Sequence, residues 1–287
     1  MPTMTTRDGV TLHLTDSGEP ADAAGPPLLL LHGWGQTRAM FRHQVEGLSG
    51  SRRVVTLDFR GHGESDKPHH GYRIARLATD VVELLDHLGL ERVDALGWSM
   101  GASVLWSVVD LHGTAPFRRL VCLDQPAAVA GVPWLTEAEK AESGAIFDVA
   151  GLLDLGAAIA GDDGATATTA FVRSMFSGEP EEAVWSFVQE QITATPAYAG
   201  VPLLFDHCAQ DWRDVLPRID VPTLVIGADG SHVDPSSQRY IADHVQDGRL
   251  HVFGTDVANS HFPFLENPQA FNAVVGAFLD EAVPAAG

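Results

Sequence analysis

Ser99 stands in Gly97-Trp98-Ser99-Met100-Gly101, a G-x-S-x-G stretch that follows the apolar run 93–96 and precedes an apolar, small-residue helical stretch, 102–109. A strand turning sharply into a helix passes through a strained backbone position, and glycines two before and two after the serine give the turn room. Such a turn leaves the hydroxyl exposed at its tip. A serine hydroxyl is a poor nucleophile at neutral pH: it needs a base within hydrogen-bonding reach, and the base needs a carboxylate to fix its tautomer and stabilise its cation. His261, in the loop after the last predicted strand, and Asp124, at the end of another, have the required types.

The elements that must hold these residues are legible as short apolar runs. Residues 5–14 read as a hairpin turning at Asp8-Gly9. The runs 28–31 and 54–57 have the uninterrupted character of strands covered on both faces. Apolar residues at helical spacing predict a helix over 74–88, stopped by Gly89. Strands are then predicted over 93–96, 120–123, 222–226 and 250–253, and a last helix over 268–282. This alternation predicts an α/β fold with a mostly parallel sheet and helices on both faces. Ligands bind beyond the carboxyl ends of strands in such sheets, where His32, Asp58, Ser99, Asp124 and His261 all fall. Residues 127–216 break the alternation with helical patches and few strand signals, so the expected organisation is a core of 1–126 and 217–287 with 127–216 inserted as a helical cap.

The chain has 287 residues, 45% of them hydrophobic, and a formal charge of −20. That charge argues against nucleic acid or an anionic membrane surface as partner, since both would be repelled. No stretch approaches the roughly 20 apolar residues of a membrane span, and residues 1–9 have neither a basic nor an apolar leader region, so the expectation is a soluble, cytoplasmic protein. Two cysteines, Cys122 and Cys208, offer neither a disulfide framework nor metal-ligand spacing, and no phosphate-cradling glycine motif occurs. No cofactor and no metal are expected; the expected partner is a small-molecule substrate.

His32-Gly33-Trp34, the segment from Asp58 through Arg60-Gly61-His62-Gly63 to Ser65, the Ser99 pentapeptide, and Ser260-His261-Phe262-Pro263 followed by Glu266-Asn267-Pro268 resemble, in this order, the marker segments of the α/β-hydrolase superfamily. The resemblance covers nearly the whole chain except 127–216. It implies Ser99 as nucleophile, His261 as general base, and the backbone amides of Trp34 and Met100 as an oxyanion hole, where one donor is typically worth ~3 kcal/mol. It implies that His32 and His62 brace loops, as Arg60, Glu64 and Asp66 are read to do. Most of the family carries its acid after the strand that here is 222–226, commonly three residues past a glycine. Three past Gly227 is Gly230, and Asp229 and Asp234 are out of register. Some members carry the acid one strand earlier, as Leu123-Asp124-Gln125-Pro126 would. Asp124 is therefore favoured, with Asp229 as the alternative.

The remaining histidines, among them His207 and His232, are read as surface or internally satisfied residues. Trp134, Phe147, Phe171, Phe176, Trp185, Phe187 and Tyr198 supply aromatics enough to line an apolar cleft over Ser99. The expected activity is hydrolysis of a medium-sized, largely apolar carboxylic ester or lactone through an acyl-serine. A second reading is cofactor-independent chemistry with His261 as base: a perhydrolase, C–C hydrolase, lyase or dioxygenase. A small-molecule receptor of the same fold is a third.

Overall fold

Leu28–Leu31 is buried along its whole length, with Leu29 and Leu31 in one core cluster and Leu28 and Leu30 in another. Successive strand side chains point to opposite faces, so a run of four leucines requires cover on both sides of the sheet. The computed structural model, which describes residues 2–23, 25–192 and 194–282, provides it. Its strands are β1 (Thr3–Thr5), β2 (Thr11–Asp16), β3 (Leu28–Leu31), β4 (Val54–Leu57), β5 (Val93–Trp98), β6 (Phe117–Leu123), β7 (Ala130–Gly131), β8 (Phe147–Asp148), β9 (Thr223–Ala228) and β10 (Gly248–Phe253). Its α-helices are α1 (Arg42–Leu48), α2 (Ile74–Leu88), α3 (Met100–His112), α4 (Glu137–Ser143), α5 (Val149–Ala160), α6 (Gly164–Arg173), α7 (Glu182–Ile192), α8 (Ala197–Cys208), α9 (Pro235–His244), α10 (Pro263–Glu266) and α11 (Pro268–Asp280).

Eight strands form one sheet in the order β1-β2-β4-β3-β5-β6-β9-β10. β2 pairs antiparallel with β1 and β4, and the six strands from β4 to β10 pair in parallel. From β3 the chain crosses to β4 on one side and then to β5 on the other. The sheet's connections therefore diverge at β3, which opens a crevice at the carboxyl ends of β3 and β5. β5 runs two residues past its apolar stretch because Gly97 and Trp98 still pair with Cys122 and Leu123. β9 likewise extends through Gly227 and Ala228, which pair with Val252 and Phe253. Between β6 and β9 lie α4 to α8 and a parallel pair, β7–β8, of only two residues per strand. No helix among the described residues is long and apolar enough to cross a membrane.

The turn from β5 into α3 brings backbone into close approach. A Cβ on Gly97 would lie 2.4 Å from the Gly101 carbonyl, and one on Gly101 would lie 2.2 Å from the carbonyl oxygen of Leu31 in β3. Both obstacles are backbone, which cannot swing aside as a flexible side chain can. Gly101→Ala is therefore expected to lower the unfolding free energy by ~3 kcal/mol or more, measured by urea denaturation. Gly178→Ala, where a Cβ meets nothing within 4 Å, should change it by less than ~0.5 kcal/mol.

Candidate active site

Ser99 occupies that turn at φ 53, ψ −126. Its N–H donates to the Leu123 carbonyl at 2.8 Å, and its own carbonyl accepts from Ala102 N–H at 2.8 Å. Serine at the start of a helix ordinarily caps it with its hydroxyl, but Ser99 makes no side-chain cap bond to α3. The hydroxyl is left for another partner. Asp124, the first residue past β6, has φ 49 and donates its N–H to the Ile226 carbonyl at 2.8 Å. Ser99 and Asp124 are the two non-glycine residues with positive φ among the described residues, and such strain concentrates at functional sites.

His261 lies in the loop between β10 and α10. Its carbonyl accepts from Trp98 Nε1–H at 2.9 Å, and its N–H donates to the Met175 carbonyl at 3.3 Å. The Glu266 carboxylate ties the loop down by accepting from Asn259 N–H (2.7 Å), Ser260 N–H (3.1 Å) and the Ser260 hydroxyl (2.6 Å). This places His261 Nδ1 2.7 Å from Asp124 Oδ2. Both side chains are buried, and both line the same cavity as Ser99 and Trp34. Burial pushes the Asp124 carboxyl up to about 7, against the opposing effects of nearby His232 and the Ser231 hydroxyl that donates to Oδ2. It holds the His261 imidazole down to about 3. With Nδ1–H on the carboxylate, the neutral ring keeps its Nε2 lone pair, the form a general base requires.

Met100 follows Ser99 in the chain, and Trp34 follows Gly33, on which a Cβ would lie 3.3 Å from Ser99 Cβ. The amide of Met100 opens α3 and lacks an intrahelical acceptor, and Trp34 is in the loop after β3. Among the described residues neither amide donates to the surrounding protein. The loop is fixed by two buried histidines. His32 Nδ1–H donates to the Gly33 carbonyl (2.8 Å) and its Nε2 accepts from Phe59 N–H (3.1 Å). His62 Nε2 accepts from Gly35 N–H at 3.2 Å, and its Nδ1–H donates to the Arg60 carbonyl at 3.0 Å. Asp58 accepts from Arg38 N–H (2.7 Å) and Glu64 N–H (2.9 Å), and Arg60 is clamped between Asp8 and Asp80. These groups order loops and do not reach the cavity. Among the described residues no group of three or more His, Cys, Asp or Glu is arranged to hold a metal ion.

The residue past β9 is a different matter from the alternative expected there. Asp229 is exposed, its side chain makes no hydrogen bond among the described residues, and it does not line the cavity. Asp234 caps α9 by accepting from Ser236 N–H. Ser231 instead reaches Asp124, and the His232 ring packs edge-on against His261 with centroids 4.6 Å apart. His207 and His232, expected at the surface or internally satisfied, both line the cavity, and Nδ1 of each is buried with no hydrogen-bond partner. A solitary histidine carries no sequence motif that would have marked either one. Of the aromatics, Phe147 and Phe171 line the cavity, Phe176 stacks on Phe262 behind His261 (4.3 Å), and Trp134 is 79% exposed.

Residues 26–268 match the family model described as alpha/beta hydrolase fold. The chain is 26% identical over 278 residues to 3-oxoadipate enol-lactonase 1 of Acinetobacter baylyi, covering 96% of each. Among solved structures it resembles an esterase from Exiguobacterium antarcticum (TM-score 0.85, 22% identity, 97% of this chain and 99% of that one). It also resembles the enol-lactonase from Burkholderia xenovorans LB400 (TM-score 0.81, 24% identity, 98% and 100%).

Burial holds four imidazoles outside the Asp124–His261 pair far below their ordinary value: His32 to about 4, and His62, His207 and His232 to about 3. Between pH 6.5 and 4 the unfolded chain binds protons at these positions and the folded chain does not, so stability falls as pH falls. Each should withdraw about 2 kcal/mol between pH 7 and pH 5. Asp124, raised rather than lowered, has the opposite sign but is one group against four. Urea denaturation at pH 7 and pH 5 should therefore show a marked loss of stability at pH 5, reduced in His62→Gln.

Proposed function

The chain belongs to the alpha/beta hydrolase fold family, and within it we propose that it hydrolyses a carboxylic ester or lactone through a covalent acyl-Ser99 intermediate. The observation that carries this reading is the 2.7 Å contact of His261 Nδ1 with Asp124 Oδ2 in the cavity that Ser99 also lines. The names of the enol-lactonase and esterase relatives point the same way.

Ser99 Oγ attacks the acyl carbonyl while His261 Nε2 takes its proton. Asp124 stabilises the imidazolium through Nδ1–H, and the oxyanion accepts from the amides of Met100 and Trp34. The imidazolium then protonates the departing alcohol oxygen. His261 next draws a proton from water, which attacks the acyl-serine and returns the hydroxyl to Ser99. In a lactone the departing alcohol stays on the acyl group, and water releases a hydroxy acid or, from an enol lactone, an enol that tautomerises to a keto acid. Residues 127–216 act as the cap: they supply the apolar wall, including Phe147, Phe171 and Leu204, that excludes water and selects a medium-sized substrate.

Turnover of a chain-length series of p-nitrophenyl esters and aliphatic lactones is expected, falling by at least ~10³-fold in Ser99→Ala and Asp124→Asn. Asp229→Asn should stay within about twofold of the parent. Loss in Asp229→Asn but not Asp124→Asn would move the acid, and turnover independent of Ser99 would shift the reading to His261-based cofactor-free chemistry.

The pH profile offers a finer check. A hydrogen bond donated to a carboxylate favours its charged form, so removing the Ser231 hydroxyl raises the proton affinity of Asp124. In Ser231→Ala the acid limb of kcat/KM should move to higher pH with the alkaline plateau largely kept. An unmoved limb would disconnect Asp124 from it.

A further inference from the structure

His207 sits near the end of α8, 5% exposed, and lines the Ser99 cavity beside Leu204 and Cys208. Its Nδ1 is buried without a hydrogen-bond partner, and desolvation is the sole influence on its proton affinity, so no neighbouring charge explains its presence. Leaving a buried polar group unpaired costs about 1–3 kcal/mol. Other polar atoms in the same cavity share the condition: Oε1 of Gln36, which is 2% exposed, Nδ1 of His232 and Oδ1 of Asp124 have no partner. Among the described residues no lysine or arginine lines the cavity, so an anionic substrate would enter without a counter-charge from them.

We propose that His207 is a specificity-determining residue that recognises, by a hydrogen bond, a second polar group on an uncharged ester or lactone, so that the favoured substrate is an apolar acyl compound with an additional ketone, hydroxyl or amide. This rests on the Ser99 reading for its chemistry and on the unpartnered side chains for its recognition. A neutral imidazole presents one N–H and one lone pair. An oxo group takes the N–H; a hydroxyl or amide N–H can also donate, to the imidazole or to Gln36 Oε1. A wholly aliphatic acyl chain leaves both groups desolvated and unpaired, and is disfavoured for that reason.

Binding separates this proposal from turnover. Calorimetric Kd values are measured on Ser99→Ala and on Ser99→Ala/His207→Leu for methyl hexanoate and for methyl 3-, 4- and 5-oxohexanoate. At least one oxo ester should bind Ser99→Ala roughly three- to tenfold more tightly than methyl hexanoate. That preference should vanish in the His207→Leu background and return in His207→Gln, which restores a donor. Methyl hexanoate should bind equally or better with leucine, which also reports an intact pocket. Equal affinity across the series, a preference that survives His207→Leu, or no binding of any of the four esters would overturn the proposal. If the wild type hydrolyses no ester while the binding pattern holds, the acyl-serine reading fails and the recognition role stands.

Discussion

The backbone of Ser99 is held at φ 53, a conformation that costs an L residue of order 1–3 kcal/mol, and the rest of the site is arranged around keeping it there. Three strands meet at this point. β5 delivers the residue, β6 accepts its N–H through Leu123, and β3 leaves space for Gly101 that a single methyl would fill. A relaxed helix start would let the hydroxyl cap α3. The strained one removes it from the helix's own hydrogen bonding, and Met100 N–H, next along the chain, has no acceptor among the described residues. In the proposed mechanism nucleophile and donor are thus neighbours at one local distortion.

Burial imposes the second constraint. Asp124 and His261 are taken out of water together, and burial opposes charge on each. An imidazolium forming beside an ionised carboxylate in that medium is far better stabilised than either ion alone. The Ser231 hydroxyl favours the ionised carboxyl, and Trp98 and Glu266 fix the backbone that carries His261. These supports belong to three different segments, so the pair is a product of the tertiary fold and of no local motif.

This explains what could be read from the sequence and what could not. Leu28–Leu31 and the 93–96 run declare buried strands because a parallel sheet covers both faces, and the Ser99 pentapeptide declares its turn because Gly97 and Gly101 have backbone where a Cβ would go. The preference for Asp124 over Asp229 rests on register, and Ser231, three residues past β9, donates its hydroxyl to Asp124. The place of His207 and His232 in the cavity is not legible in the sequence for a physical reason. Which face of α8 meets the cavity depends on how the helices between β6 and β9 pack on the sheet, and periodicity within twelve residues does not encode that direction.

The insertion and the chemistry are joined at one residue. Trp34, which lines the Ser99 cavity, donates its indole Nε1–H to the Gly200 carbonyl at 2.8 Å. A Cβ on Gly200 would lie 3.3 Å from the same indole, so helix and ring are in close packing. Gly200 and His207 both belong to α8, which also touches α2 through the Asp206 carboxylate, an acceptor for Ile74 N–H at 2.7 Å. A substrate that displaces α8 to reach His207 therefore also loads the loop that carries the Trp34 amide. In the proposed mechanism, selection of the substrate and placement of an oxyanion donor are therefore coupled, which favours ligands that fit without moving the helix and slows the chemistry of those that do not.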